Sequence, residues 1–383
     1  MSNTQVPYEM QMPRRRLLAS AGLAALGSTL SACTTSQRLR IAAPPTPSLC
    51  LPPVKVAENR VIRTLVGLRP YRAEGYVVRA EPLGDKRLVH NYGHGGAGIT
   101  LSWGTSRLAV DLGLQGHQGP VAVIGAGIVG LSTARLVQEA GFPVTIHAAA
   151  LPPDTTSNIA GGQWLPTSYH ESGSTTAEWD ALNARAIDYA YRRFQVMVGP
   201  DYGVRWVTNY FESGPPGSGG GRNGALAATR PDPRLLGRGE HPFPVERVRS
   251  HRLMLIEPHI YLRQLMRDLL LSGARIQVRN FAAPDDLAAL PEKLVFNCTG
   301  LGSRALFGDE KLHPIRGQLV LLLPQPEVDY AYAGSTGYMF PRSDGIVLGG
   351  SYERDNWSTE PDPATTQRIL ASHKAVFDHL TCR

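Results

Sequence analysis

The chain has 383 residues, of which 42% are hydrophobic and 19% charged. That balance belongs to a globular protein and excludes a disordered one, and the length suits about two domains with a large core. The net charge of +7 comes with no long Lys/Arg run and no basic patch interleaved with aromatics, so no nucleic acid is expected as a partner.

Residues 1–33 read as an export signal and not as part of the fold. Arg14-Arg15-Arg16 precede an apolar stretch at 17–26, and small residues follow up to Leu30-Ser31-Ala32-Cys33. The stretch is too short to span a bilayer. The consecutive arginines resemble the twin-arginine export signal, and Leu-Ser-Ala-Cys resembles the bacterial lipobox. These resemblances imply an exported, periplasmic or cell-envelope lipoprotein, anchored to the membrane by a lipid on Cys33; a cytoplasmic protein is the alternative. Residues 34–60 have no apolar period and include Pro44-Pro45-Thr46-Pro47 and Leu51-Pro52-Pro53, which predicts a semi-rigid tether. Cys50 and Cys382 flank the two ends of the folded part. A sequence cannot establish the geometry a disulfide needs, so they are expected to stay unbonded.

The folded part is expected to start with strands at 61–70 and 76–79, then an apolar helix from Ile99 to about Leu112. Gln115-Gly116-His117-Gln118-Gly119-Pro120 is a polar break. Residues 121–124 form an unbroken apolar run, as in a parallel strand buried on both faces. A helix at 131–140, a stop at Gly141 and a strand at 144–146 complete one βαβ unit. Helices are predicted at 179–198, 261–271 and 364–379, and strands at 276–278, 294–298, 317–323, 338–340 and 346–348. Residues 214–224, rich in Gly, Pro and Ser, predict a surface loop.

Gly125-Ala126-Gly127-Ile128-Val129-Gly130 sits directly between the apolar strand and the helix. Glycines there allow a tight turn and close approach of a pyrophosphate, whose charge the helix N-terminus stabilises. The motif alone calls for a dinucleotide without choosing between flavin and nicotinamide. The polar group that usually holds the ribose after the second strand is missing, because Ala148-Ala149-Ala150 stand there.

His90-Asn91-Tyr92-Gly93-His94-Gly95-Gly96-Ala97-Gly98-Ile99-Thr100 is the most specific phrase. It opens a helix with a run of backbone N–H groups expected to be free, suited to the negative edge of a reduced flavin. Both phrases resemble the D-amino acid oxidase family, as do Asn297-Cys298-Thr299-Gly300, Arg316-Gly317-Gln318 and Gly349-Gly350-Ser351-Tyr352. In that family the dinucleotide loop opens the chain and the HNYGHGG phrase nearly closes it. Here the order is reversed, so the chain resembles a circularly permuted member spliced near residues 115–120.

The resemblance implies an α/β fold with a Rossmann-like FAD-binding domain and a second, mixed-sheet (α+β) substrate domain. It divides the chain into 61–120, the permuted segment; 121–170, the dinucleotide-binding βαβ unit; and 171–380, the substrate domain interleaved with the remaining FAD-domain strands. It implies FAD as cofactor, contacted by residues 125–130, by Thr155, Thr156, Ser157, Gly162, Gln163 and Phe281, and by His94, Gly95, Ile99 and Thr100. No metal site is expected: His90 and His94 lie four apart, but not on a helix.

The implied reaction is oxidative deamination of a D-amino acid with O2 as acceptor, giving keto acid, ammonia and H2O2. A planar guanidinium suits the substrate carboxylate, and Arg69 matches the family's arginine, with Arg72 as the nearby alternative. Tyr338 matches the family's pocket tyrosine, and the Gly96 carbonyl would receive the substrate amino group. Animal-type members carry a second tyrosine four residues before Tyr338, where this chain has Gly334; fungal-type members carry it after the double glycine. Tyr352 is therefore the expected second hydroxyl, with Tyr332 as the fallback, and the short 324–338 connection leaves no room for a long lid. The alternatives are an amine oxidase or dehydrogenase acting on D-aspartate, glycine or sarcosine, and a non-catalytic flavin-binding lipoprotein.

Overall fold

Two sheets share the work of building one cavity. The computed structural model describes residues 49–214, 226 and 228–382. The export signal with Cys33, tether residues 34–48 and nearly all of the 214–224 loop lie outside the described residues. In chain order the elements begin with β1 (Val61–Tyr71), β2 (Val77–Leu83), β3 (Lys86–Tyr92) and α1 (Gly98–Gly113). The dinucleotide unit follows as β4 (Val121–Ile124), α2 (Ile128–Glu139) and β5 (Val144–Ala148). Next come α3 (Thr156–Ile159), α4 (Ala177–Gln195), β6 (Val204–Glu212), β7 (Arg234–Gly237), β8 (Arg247–Ile256), α5 (Pro258–Leu271) and β9 (Arg275–Val278). The chain ends with α6 (Pro284–Ala288), β10 (Leu294–Asn297), α7 (Gly302–Phe307), β11 (His313–Leu322), β12 (Tyr330–Gly334), β13 (Gly337–Arg342), β14 (Gly345–Gly349), β15 (Glu353–Arg354) and α8 (Pro363–Phe377).

A six-stranded sheet runs β2-β3-β10-β4-β5-β9, parallel throughout except at the β2–β3 pair. All four residues of β4 are buried, as a strand between two helical layers requires. One face packs on α1, α2 and α5 through Leu101, Leu131 and Leu265; the other packs through Leu88, Ala122 and Val295 against Leu287 and Leu306 of α6 and α7. The second sheet runs β1-β11-β14-β13-β12-β6-β8-β7, with β15 paired to β11. Its pairs are mixed: β12 and β6 are parallel, the rest antiparallel. One face of this sheet buries Val320, Tyr332, Met339 and Leu348 against Ile369, Leu370 and Phe377 of α8. The opposite face is the one that meets the cavity.

Segment order is the notable feature. β1 and β3, which precede the dinucleotide loop, pair with β11 and β10 from the far end of the sequence. Several strands were not foreseen, among them β3, β6, β8 and β12. β3 was hidden because its apolar residues run directly into the glycine phrase, and β8 because Arg247, Arg249 and Arg252 interrupt the alternation.

Two expectations need correction. Residues 49–60, taken as the end of the tether, pack against the second sheet: Val54 and Val56 are buried, and Pro52 O accepts from the Tyr330 hydroxyl at 2.9 Å. Prolines set that segment's extended shape, and its two valines supply the burial. Cys50 and Cys382 form a disulfide, with Cα atoms 4.9 Å apart. The same packing brings the two ends of the described chain together. Because the bond closes a loop of 332 residues, Cys50→Ser should lower stability by about 2–5 kcal/mol, or roughly 3–7 °C in Tm. Dithiothreitol should bring the wild type to the same value; equal melting of oxidised wild type and variant would show that the bond adds nothing.

Candidate active site

The parallel strands of the first sheet point their C-terminal ends into a cavity of about 820 Å³, within the range for cofactor sites. Ligands bind at that edge in open α/β sheets. At the end of β4, Gly125 adopts φ +111°, a left-handed conformation that only glycine takes easily, and a Cβ there would strike the Cys298 carbonyl. A Cβ on Gly130 would strike the Gly125 carbonyl, so this glycine lets helix and strand close together. Gly127 differs: an added Cβ would meet only Ser157 Oγ, at 3.3 Å. That contact is one a small shift of the hydroxyl relieves, and the bare backbone at this helix start suits close approach of a ligand. α2 starts at Ile128 with N–H groups that have no intrahelical partner. Ser157 Oγ accepts one of them, from Ile128 N at 3.0 Å, and so ties the 155–159 segment to the same helix end.

The glycine phrase reaches the cavity from β3. Gly95 adopts φ +52°, and a Cβ there would strike Ser168 O. Two of its expected free donors are already used: Gly96 N–H donates to Ser168 O at 2.8 Å and Ala97 N–H to His94 O at 2.9 Å. The donors left for an anion are those of the first turn of α1, where Ile99 and Thr100 lie. The Thr100 hydroxyl is fastened to Leu165, donating to its carbonyl and accepting from its N–H, both at 3.3 Å. His94 contributes support. It is buried, stacks on Tyr76 and bonds Thr105 Oγ1 through Nε2 at 2.8 Å. Burial brings its pKa from 6.5 down to about 3, so the ring is neutral in the folded protein.

That depression has a sign. The unfolded chain takes up a proton at His94 below about pH 6.5 and the folded chain does not, so stability present above that pH is lost on acidification, by roughly 1.4 kcal/mol per pH unit from this residue. His94→Phe, which keeps the stacking, should flatten the fall of Tm between pH 6.5 and 4. Parallel curves for the two proteins would exclude His94 as the source.

The substrate side follows from strand register. Leu65, Leu319, Gly349, Tyr338, Ala333 and Phe211 form one cross-strand row over β1, β11, β14, β13, β12 and β6. Side chains of such a row share a face, and Gly67, Arg69 and Gly317 lie on it at even spacing. Glycines make it a trough. A Cβ on Gly317 would collide with the Arg69 guanidinium, and one on Gly349 with the Tyr338 ring. Both large side chains therefore lie flat on the sheet. Arg69 Nη1 is buried without a hydrogen-bond partner, an arrangement that calls for an anionic ligand. Tyr338 stacks on Phe340 at 4.8 Å, and a Cβ on Gly161 would sit 2.7 Å from Phe340. The 160–163 stretch thus lies on the substrate face. Gly162 O accepts from Ile256 N at 2.8 Å, and Gln163 Nε2 donates to Asn209 Oδ1.

The alternatives separate cleanly. Arg72 is ion-paired to Asp309 at 3.3 Å and Glu74 at 3.9 Å and does not line the cavity. Tyr332, the fallback, is excluded by parity: it pairs with Met339, so it faces the opposite core, stacked on Phe243. Tyr352 lines the cavity at its rim, 48% exposed. Phe281 lines the far end, with Arg279 over its ring and Ala148, Ala149 and Ala150 beside them. Sequence reading missed Phe211, Ala333, Leu319, Arg279 and Asn280 as cavity residues. The β-branched and aromatic residues of 204–211 were a usable strand signal; Arg279 had none.

These features define a two-sheet protein with a dinucleotide-binding cavity and, beside it, a sheet face on which Arg69 offers an unpartnered nitrogen. Glycine clearance, two helix N-termini and a cavity of about 820 Å³ fit an adenine dinucleotide of flavin type. A family model described as FAD dependent oxidoreductase matches residues 46–112 and 120–382. The chain belongs to this family. It is 34% identical over 262 residues to a D-amino-acid oxidase of Streptomyces coelicolor, covering 66% of this chain and 76% of the relative. It is 30% identical over 262 residues to a D-aspartate oxidase of Homo sapiens, covering 66% and 74%. The fold is shared with glycine oxidase from Bacillus cereus, at TM-score 0.51 and 16% identity over 68% of this chain and 78% of that one.

Proposed function

We propose that this protein oxidatively deaminates D-amino acids, using FAD and O2 and giving keto acid, ammonia and H2O2. The observation that carries the reading is Arg69: a half-buried guanidinium with one buried, unpartnered nitrogen, flat on a glycine floor, on the same sheet face as Tyr338. FAD, when bound, supplies the hydride acceptor and passes the electrons to O2. The chain's own residues position the substrate. Arg69 binds the carboxylate, Tyr338 donates its hydroxyl to the same group, and Tyr352 closes the rim. The Gly96 carbonyl accepts from the amino group, which fixes the chirality presented. Leu319, Ala333 and Phe211 give an apolar wall for the side chain and exclude water. Held this way, the α-hydrogen needs no strong base, and positioning supplies much of the rate.

Purified protein should be yellow, bleach anaerobically with D-amino acids and release peroxide in air. Bleaching by L-enantiomers alone would overturn the stereochemistry. The likeness to a D-aspartate oxidase supports a second reading, a dicarboxylic substrate, which the same panel decides by including D-aspartate.

The chain order is, on this reading, a circular permutation. It is supported by the break in the family match between 112 and 120, the partial collinear coverage of the relatives and the 4.9 Å between the Cys50 and Cys382 Cα atoms. A rearranged chain beginning at 120 and carrying 49–114 behind Cys382 should fold and bind flavin; loss of both would count against it. Export and lipid anchoring through Cys33 are proposed from residues 14–33, and a disulfide suits an oxidising compartment. No helix among the described residues is long and apolar enough to cross a membrane. Cys33→Ala should abolish membrane association, whereas unchanged fractionation would remove the anchor.

A further inference from the structure

The end of the cavity beyond the dinucleotide loop has lost its usual polar group and gained a cation. The second strand of the dinucleotide unit, β5, ends in Ala148, and Ala149 and Ala150 continue along the cavity wall. None of the three offers a side-chain hydrogen bond. Yet the neighbouring strand β9 pairs with β5 in register, Val278 against Ala148, and the next residue is Arg279. Its backbone N–H donates to Ala148 O at 2.9 Å, so the position is pinned to the alanine segment. Its guanidinium lies 4.7 Å over the Phe281 ring, and both line the cavity. Among the described residues it has no carboxylate within ion-pair distance. The acid on the following helix, Asp286, is already taken up by the N–H groups of Ala282 and Ala283, at 2.8 and 3.1 Å.

We propose that Arg279, backed by Phe281, is the group that holds the adenosine half of the cofactor, in place of the polar residue absent from β5. The proposal rests on FAD being the cofactor. A carboxylate at the end of β5 would accept hydrogen bonds from ribose hydroxyls. An arginine has donors only, so recognition passes to the oxygens of the ribose and its phosphate, which a guanidinium engages with two donors at once. Cation–π contact with Phe281 limits the rotamers of a long side chain and so reduces the entropy lost on binding. Asp154, the one carboxylate among the lining residues, is the rival. It adjoins Thr155 on the pyrophosphate side, where a negative charge opposes the ligand's own.

The test measures flavin leaving the intact holoenzyme. On dilution, recovery of free-flavin fluorescence gives the release rate, and the visible spectrum of the bound fraction reports the ring end of the site. Arg279→Gln should release FAD about tenfold faster, the range of a hydrogen bond to a charged group in a partly exposed site. Arg279→Lys should fall between, and Arg275→Gln, an exposed arginine at the start of the same strand, should match the wild type. Added salt should speed release from the wild type and leave Arg279→Gln nearly unchanged. The bound spectrum should be the same in all. Release from Arg279→Gln within twofold of wild type, an altered bound spectrum, or acceleration by Asp154→Asn in place of Arg279→Gln overturns the assignment. Wild-type protein that neither carries nor takes up flavin overturns the cofactor reading itself.

Discussion

Arg69→Ala is expected to lower kcat/KM by about two to three orders of magnitude while leaving the flavin spectrum intact. Loss of a buried, charge-assisted pair with a carboxylate costs about 2–5 kcal/mol, and each 1.4 kcal/mol is about tenfold in rate. Arg69 has no other partner for its buried Nη1, so its truncation breaks no internal salt bridge and the fold should survive. Arg72→Ala makes the contrast. That side chain is committed to Asp309 and Glu74, and its pair with Asp309 is largely buried, so its loss should cost stability, about 3–5 kcal/mol, and change turnover of the folded protein less than about threefold. Anaerobic reduction of both variants by a D-amino acid separates the outcomes. A crippled Arg72→Ala beside an active Arg69→Ala would place the carboxylate elsewhere.

Gly127→Ala should give a folded protein that has lost most of its flavin. The added methyl group meets only Ser157 Oγ, at 3.3 Å, a contact that a shift of a few tenths of an ångström in that hydroxyl relieves, and Gly127 has an ordinary φ of −70°, so the fold should survive it. What the methyl group obstructs is approach to the N–H groups of α2, where a pyrophosphate sits. Cofactor occupancy after gel filtration should fall at least about tenfold, with the far-ultraviolet circular dichroism unchanged. Gly130→Ala should behave differently. Its Cβ would strike the Gly125 carbonyl, so the helix is pushed off the strand and folding itself suffers. Full flavin occupancy in Gly127→Ala would refute the pyrophosphate placement.

How much was legible depended on whether the signal was local. The β4–turn–α2 unit was legible because every part of it, the apolar run, the three glycines and the helical period, falls within about twenty residues and obeys one backbone rule. The HNYGHGG phrase was legible as a motif. Its hydrogen bonding was not, since Ser168 O, which takes the Gly96 N–H, comes from a segment over seventy positions away. The choice of Arg69 over Arg72 came from likeness to a family, and the structure added its cause: one is paired and the other is not. Tyr332 and Tyr338 look equivalent as two tyrosines six positions apart. They separate only once the pairing of Tyr332 with Met339 fixes which of them faces the cavity.

Sequence by itself therefore determined the chemistry on offer: a dinucleotide loop, a flavin-type glycine phrase, and an arginine and tyrosines whose proposed partner is a carboxylate. Short-range backbone constraints write such features into consecutive residues. Tertiary structure alone decided which of those groups meet. Register across four strands put Arg69 and Tyr338 on one glycine-floored face, packing joined Cys50 to Cys382, and the β5–β9 pairing carried Arg279 to the alanine end of the cavity. Each of these depends on contacts between residues more than a hundred positions apart, whose partners are chosen by the burial of whole faces and leave no mark in the local sequence.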